Sequence, residues 1–300
     1  MRGTGVEREC SLISERASQR SIGAARGQAP ARRVDQLKSS GIASNSMVTD
    51  YNAGDTAALY QQARAALPIY RVDTFSLMRR VGDVCGETVL DIACGEGHFT
   101  RMMRRSGATR VVGMDISESM IRLARQQEAA EPLGIDYVVG DARVPADPPQ
   151  EFDVAVAAFL LVYARDCAEL AAMCAGVASR VRPGGRFVTI TVNPAIYHFD
   201  PTPDFRKYGF DVRLEEKAYE GAPMNFSVLL PNATLEIENY YLPVDTYREQ
   251  LRTAGFSSVA VHGLSVPADA MSGYPPGFWD ELLAHPVYIV LDCVRAGARD

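Results

Sequence analysis

The sequence predicts a doubly wound α/β domain, a mostly parallel sheet with helices on both faces. Three observations carry this expectation. Five short runs, at residues 88–93, 110–116, 135–139, 152–159 and 186–192, are predominantly apolar, as strands buried on both faces are. Between them lie stretches whose apolar residues recur at three- and four-residue spacing, the mark of amphipathic helices. Strand–helix alternation of this kind makes right-handed crossovers and hence a parallel sheet.

The elements follow in order. Residues 1–46 are rich in Arg, Ser, Gly and Ala and hold no aromatic residue. They carry eight basic and four acidic residues (+4), which leaves −10 on the remainder of a chain of net charge −6. Such a segment buries too little apolar surface to offset its ordering entropy. It reads as a disordered tail, or as sequence upstream of a functional start at Met47. A targeting peptide, opposed by Glu7, Glu9 and Glu15, and an ordered lid are the alternatives. Asp55 or Thr56 then caps a helix with Leu59, Tyr60, Ala63 and Leu67 on its apolar side, and Pro68 stops it. A short helix through Val72, Phe75 and Met78 follows. After the first strand, Gly95-Glu96-Gly97 leads into a helix through Phe99, Met102 and Met103. Ser117 caps a helix with Met120, Ile121, Leu123 and Ala124 inward. Leu170, Met173, Cys174, Val177 and Val181 mark another, and Pro183-Gly184-Gly185 turns the chain into the fifth strand. From residue 194 to 240 the rhythm breaks into Pro-, Tyr-, Asp- and Asn-rich sequence with β-like stretches near 212–214, 225–229 and 234–241. A helix at 244–254 and strands at 258–263 and 287–294 close the chain.

Composition narrows the function. A pI near 5.4 and the lack of a nucleic-acid-binding motif speak against phosphate backbones and anionic membranes. The longest strongly apolar run, residues 154–164, is too short to span a bilayer, and the N-terminus lacks the apolar segment of a secretory signal. Six cysteines without a C-x-x-C pair or zinc spacing suit a reducing cytoplasm, with Cys167 and Cys174 as core residues, and no metal is expected.

In a parallel sheet, ligands bind beyond the carboxyl ends of the strands, where strand order reverses. Here the first strand ends in Asp91-Ile92-Ala93-Cys94-Gly95-Glu96-Gly97, whose glycines permit a tight turn and close approach to a ligand. Asp115, 18 residues beyond Gly97, ends the second strand, where a carboxylate can accept both hydroxyls of a ribose. The nucleoside is not a nicotinamide dinucleotide by this pattern. The third glycine of G-x-G-x-x-G is replaced by Thr100, and Asp91 would repel a pyrophosphate but not a cationic methionyl group. These differences favour S-adenosylmethionine over NAD.

The motifs then resemble, in order, those of class I S-adenosylmethionine-dependent methyltransferases: Asp91-x-Ala93-Cys94-Gly95-x-Gly97, Val112-Gly113-Met114-Asp115-Ile116-Ser117, Met120-Ile121-x-Leu123-Ala124, Gly140-Asp141-Ala142, Phe152-Asp153-Val154 and Arg182-Pro183-Gly184-Gly185. The resemblance is strong over residues 50–192. Within the class, the run from Asp91 to Ala142 and Lys207-Tyr208-Gly209-Phe210 resemble the small-molecule branch that includes toxoflavin-pathway N-methyltransferases. The resemblance implies a Rossmann-like, seven-stranded sheet with an antiparallel last strand pair. It divides the chain into an N-terminal helical lid (47–84), a cofactor-binding core (85–193), an acceptor-pocket insertion (194–240) and a C-terminal part of the sheet (241–300). Carried over by position, Asp91, Gly95 and Gly97 line the methionyl part; Asp115 binds ribose, with Ile116 against the adenine; Asp141 and Ala142 meet the adenine amino group and ring; Phe159 and Leu160 lie beneath the cofactor; Ala93 and Met120 also belong to the cofactor-binding set. Tyr51, Tyr60 and Arg71 would close the site as lid residues.

Ala158-Phe159-Leu160-Leu161 stands where DNA amino-methyltransferases carry Asn/Asp-Pro-Pro-aromatic, which argues against base methylation. Tyr197, Phe199, Tyr208, Phe226 and Tyr241 of the insertion suit a flat aromatic or heterocyclic acceptor. If the acceptor must lose a proton, His198 is the first candidate base, followed by Tyr163 and His262. The reading is thus an N- or O-methyltransferase of secondary metabolism, such as antibiotic biosynthesis. Methylation of a protein or a quinone, a non-catalytic partner subunit, and an NAD-dependent oxidoreductase are the rivals. A homodimer is left open.

Overall fold

A computed structural model of the chain describes residues 51–52, 56–147 and 149–297. The expectations for residues 1–46, for a start at Met47 and for an Asp55 cap lie outside these residues. Two helices come first, α1 (Thr56–Ala66) and α2 (Ile69–Val81). Then follow β1 (Thr88–Ile92), α3 (His98–Arg105), β2 (Arg110–Asp115), α4 (Glu118–Ala130), β3 (Asp136–Val139), β4 (Phe152–Ala158), α5 (Cys167–Ala178) and β5 (Val181–Val192). The insertion supplies β6 (Phe210–Leu214), β7 (Pro223–Leu229) and β8 (Thr234–Tyr240). The chain closes with α6 (Val244–Thr253), β9 (Phe256–His262), the short helices α7 (Ala268–Gly273) and α8 (Asp280–Ala284), and β10 (Tyr288–Arg295).

Seven strands form one sheet in the order β3-β2-β1-β4-β5-β10-β9. The first five are parallel, and β10 runs antiparallel to both its neighbours. This is the seven-stranded Rossmann-like architecture expected. Alternate residues of each strand feed opposite faces. Val89, Val154 and Val156 join the apolar cluster that takes in α2, α3 and α4, while Leu90, Ala155 and Ala157 join the one beneath α5 and α6. Burial on both faces is why β1 and β4 read as largely apolar runs, whereas Val138 and Val139 of the edge strand β3 are exposed.

Local chemistry accounts for the boundaries. Ser117 Oγ accepts the Met120 N–H (3.2 Å) and Asp166 Oδ1 accepts the Glu169 N–H (2.8 Å), capping α4 and α5. Four details differ from expectation. Phe75 is exposed, because α2 turns Val72, Leu77 and Val81 inward instead. Val181 begins β5 rather than continuing α5, and Pro183-Gly184-Gly185 is a bulge where the register jumps from Phe152–Val181 to Val154–Arg186. Of Cys167 and Cys174, only Cys174 is fully buried. The helices α7 and α8 were not foreseen. The insertion forms a separate antiparallel sheet, β6-β7-β8, over the carboxyl ends of the main strands.

Candidate functional site

Strand order reverses between β1 and β4, and the crevice opens there. Ala93 (φ 57°) and Phe159 (φ 60°) follow these two strands directly, and both adopt the left-handed region as non-glycine residues. Such backbone is costly and persists where surrounding structure enforces it, commonly at binding sites. Both residues line the cavity here.

The turn after β1 is fixed by the carboxylate at the end of β2. Asp115 Oδ2 accepts the Gly95 N–H and Oδ1 accepts the Ser117 N–H, each at 2.8 Å. Burial raises the Asp115 pKa, and these backbone N–H groups oppose the rise. Gly97 (φ 91°) plays a packing part: a Cβ there would run into the Tyr137 ring. It lies behind the turn rather than on the cavity wall.

Two cavities meet at Tyr51, Ala93, Ile116 and Tyr163. One includes Asp141, Ala142 and Leu160. The other includes Gly95, Asp115, Met120 and Phe159, then runs on beneath the insertion. So Tyr51, Tyr60, Ala93, Gly95, Asp115, Ile116, Met120, Asp141, Ala142, Phe159 and Leu160 line these two adjoining cavities. Asp141 is held by a bidentate pair with Arg143 (2.7 Å), which keeps its carboxyl below the usual range. The Tyr51 and Tyr163 hydroxyls lie 2.7 Å apart, and Asn52 Oδ1 accepts from Ser117 Oγ (2.8 Å), so this short segment crosses the crevice mouth.

Other expected residues are elsewhere. Arg71 is exposed and paired with Asp269, off the wall. His198 is exposed at the end of a short 3₁₀ turn that points Ile196 inward instead, and it does not line the cavity. His262 lies on the edge strand β9, away from the crevice. Tyr163 does line the cavity, but burial raises its pKa, so it stays a neutral phenol that can donate or accept a hydrogen bond. Of the expected acceptor residues, Phe226 alone is on the wall. Tyr208 is core: it stacks on Trp279 and its hydroxyl donates to the Phe278 carbonyl (2.9 Å). Tyr197 packs on Tyr241, and Phe199 on His285. Asp91 is 1 % exposed behind the wall, where it accepts from Thr100 Oγ1 (2.6 Å); burial lifts its pKa to about 7.

The residue that sequence reasoning missed is Arg64. Its guanidinium lies about 5 Å from the rings of Tyr60, Tyr70 and Phe99. Nη2 donates to the Tyr60 hydroxyl (2.9 Å), and Glu96 is 3.9 Å from Nε, too far for a hydrogen bond. Burial disfavours its charge, but nearby Tyr60, Asp73, Tyr70 and Glu96 outweigh that and raise its pKa. Nε and Nη1 are nevertheless buried without partners, as is His98 Nε2 on the same wall. Burial and the Arg64 charge drop the His98 pKa to about 3, so its imidazole is neutral. The periodicity did offer one signal: Tyr60 and Arg64 stand one helical turn apart on α1.

An orphaned guanidinium at one end and a strand-end carboxylate at the other match the carboxylate and ribose of an S-adenosyl amino acid. Comparisons with known proteins agree. Residues 89–185 match the family described as "Methyltransferase domain". A "Ubiquinone biosynthesis O-methyltransferase" of Stutzerimonas stutzeri is 35% identical over 39% of this chain and 50% of its own length. An "N-demethylindolmycin N-methyltransferase" of Streptomyces griseus is 24% identical over 76% of this chain and 96% of its own. The first of these relatives is thus matched over only half its length. A solved S-adenosylmethionine-dependent methyltransferase of Mesorhizobium loti shares the fold, with a TM-score of 0.54 and 21% identity over 77% of this chain and 99% of that one. The likeness to a methyltransferase domain thus lies in residues 89–185, and the solved structure shares the fold. Among the described residues no group of His, Cys, Asp or Glu could hold a metal ion, and no helix is long and apolar enough to cross a membrane.

Proposed function

We propose that the protein transfers a methyl group from S-adenosylmethionine to a nitrogen or oxygen of a small aromatic or heterocyclic metabolite, in secondary metabolism. One observation carries this reading. The cavity lined by Arg64 and Asp115 runs on into an apolar chamber under the insertion sheet, and it adjoins the cavity lined by Asp141. When bound, the cofactor supplies an activated methyl on a sulfonium. The chain's own work is to bind, orient and exclude water. Arg64 Nε and Nη1 hold the carboxylate, Asp115 takes the ribose hydroxyls, and Ile116 and Ala142 flank the base. The faces of Tyr51, Tyr60 and Phe159 supply π density toward a cation. The Tyr51–Asn52 segment covers the mouth.

A quinone acceptor is the second reading, favoured by the O-methyltransferase relative. That likeness covers 39% of this chain and half of the relative, so it weighs less than the chamber. The test is incubation with methyl-tritiated S-adenosylmethionine and two acceptor panels, one of aromatic amines, phenols and N-heterocycles, the other of hydroxylated quinones. Label transfer to the first panel alone supports the proposal. Transfer confined to quinones supports the second reading. Cofactor binding with transfer to neither counts against both.

A further inference from the structure

We infer that the acceptor is an uncharged, flat molecule that reacts through a nitrogen already unprotonated near neutral pH, lodged against the inner face of the insertion sheet. The inference rests on the methyltransferase reading and narrows it. Phe210, Phe226, Val228 and Ile237 of the insertion line the chamber with Phe159 and Tyr288; the Phe210 ring stacks on Tyr288 (6.2 Å), and the Tyr288 ring meets Phe159 edge to face at 4.8 Å. Slots between aromatic faces favour planar ligands.

Charge decides the rest. On the cavity that runs beneath the insertion, the charged side chains are Arg64 and Glu96 beside the turn after β1 and Asp115 at the end of β2, all at the cofactor end. The chamber end offers only phenols and the amide of Asn239. A carboxylate, sulfonate or ammonium on the acceptor would lose its water there without an opposite charge, which costs several kcal/mol even after relaxation.

Among the described residues the chamber end of that wall holds no carboxylate; Asp73, whose Oδ2 is buried without a partner, does not line it. His98 is neutral but so weakly basic, at a pKa of about 3, that it cannot hold a proton taken from an acceptor. Burial raises the pKa of Tyr51, Tyr163 and Tyr288 alike, so none is a phenolate. A phenol acceptor would therefore have to arrive as an anion, which the chamber disfavours. A heteroaromatic or aryl nitrogen needs neither. Its lone pair forms the new N–C bond as the C–S bond breaks, and the C–S electron pair stays on sulfur, leaving a neutral thioether. The positive charge passes to the nitrogen, and any surplus proton leaves to water after release.

The experiment uses two fluorescent probes with one skeleton. N-phenyl-1-naphthylamine is neutral, and 1-anilinonaphthalene-8-sulfonate adds a single negative charge. Both are titrated into the full chain with saturating S-adenosylhomocysteine, whose own binding is followed by calorimetry. The expected result is at least tenfold tighter binding of the neutral probe. Ile237→Glu, a half-buried wall position, should weaken that probe at least tenfold and leave S-adenosylhomocysteine binding in place. Equal or tighter sulfonate binding, or neutral-probe binding indifferent to Ile237→Glu, overturns the inference. If the variant does not fold, the wild-type probe ratio decides alone. Loss of S-adenosylhomocysteine binding by the wild type, with probe discrimination intact, would sink the methyltransferase reading and not the chamber's preference.

Discussion

Replacing Arg64 by Met tests the assignment of the cofactor's amino-acid end. The thioether keeps an unbranched stem against Tyr60, Tyr70 and Phe99 but removes the charge and the two unpartnered donors, Nε and Nη1. Hydrogen bonds to charged groups contribute about 1.5–3 kcal/mol each, so two would supply about 3–6 kcal/mol. Part of this is offset, because the free protein no longer holds a buried cation with incomplete partners. A net loss of about 3 kcal/mol corresponds to roughly 100-fold weaker binding. The assay is calorimetric titration with S-adenosylhomocysteine and, in parallel, 5′-methylthioadenosine, which keeps the nucleoside and sulfur but lacks the amino acid. The first ligand should lose about 100-fold and the second under about threefold, with Arg64→Lys in between for the first. Equal losses for both ligands would refute the reasoning, since Arg64 would then shape the pocket rather than hold a carboxylate. So would unchanged S-adenosylhomocysteine affinity.

Three further outcomes follow from the geometry. Gly97→Ala meets both a positive φ of 91° and the Tyr137 ring, so it should destabilise the fold by about 2–4 kcal/mol in denaturant unfolding. Tyr137→Leu in that background should recover the steric part only. Asp73 is fully buried, and burial lifts its pKa to about 7 despite Arg64 and Thr74. A carboxyl whose pKa is raised on folding favours the fold below its unfolded value, near 4, and loses that contribution as pH climbs to about 7. Asp73→Asn should therefore gain on wild type by a few kcal/mol between pH 4 and 7, and parallel stability–pH curves would contradict the burial argument. Finally, His198→Ala should leave turnover and its pH profile unchanged, because the side chain is exposed and off the cavity wall. A tenfold loss of kcat would return His198 to the site.

The cofactor half of the site was legible because its signals are local. Asp91 through Gly97 form a turn whose backbone needs are written into adjacent residues, and Asp115 ends a strand visible from its apolar run. The acceptor half depends on which side of a strand or turn a residue takes. Of the aromatic residues that the density of 194–240 singled out as acceptor-binding, only Phe226 lines the chamber. Phe226 faces inward on β7 with Val228, while Tyr208 of the same aromatic-rich stretch is buried under Trp279. Arg71 and Arg64 look alike in sequence, yet α1 turns Arg64 into the aromatic cluster, while α2 presents Arg71 to solvent and Asp269. Asn239 and Tyr288 come from distant strands that only the tertiary fold brings to the cavity. No periodicity within one element encodes such a meeting.

The most direct test of the central claim is calorimetric titration of the purified chain with S-adenosylhomocysteine and with NAD, repeated on Asp115→Ala. The account predicts one S-adenosylhomocysteine per chain, at least 100-fold weaker binding in the variant, and no NAD binding. Binding of NAD, or no adenosyl ligand bound by the wild type, would contradict it.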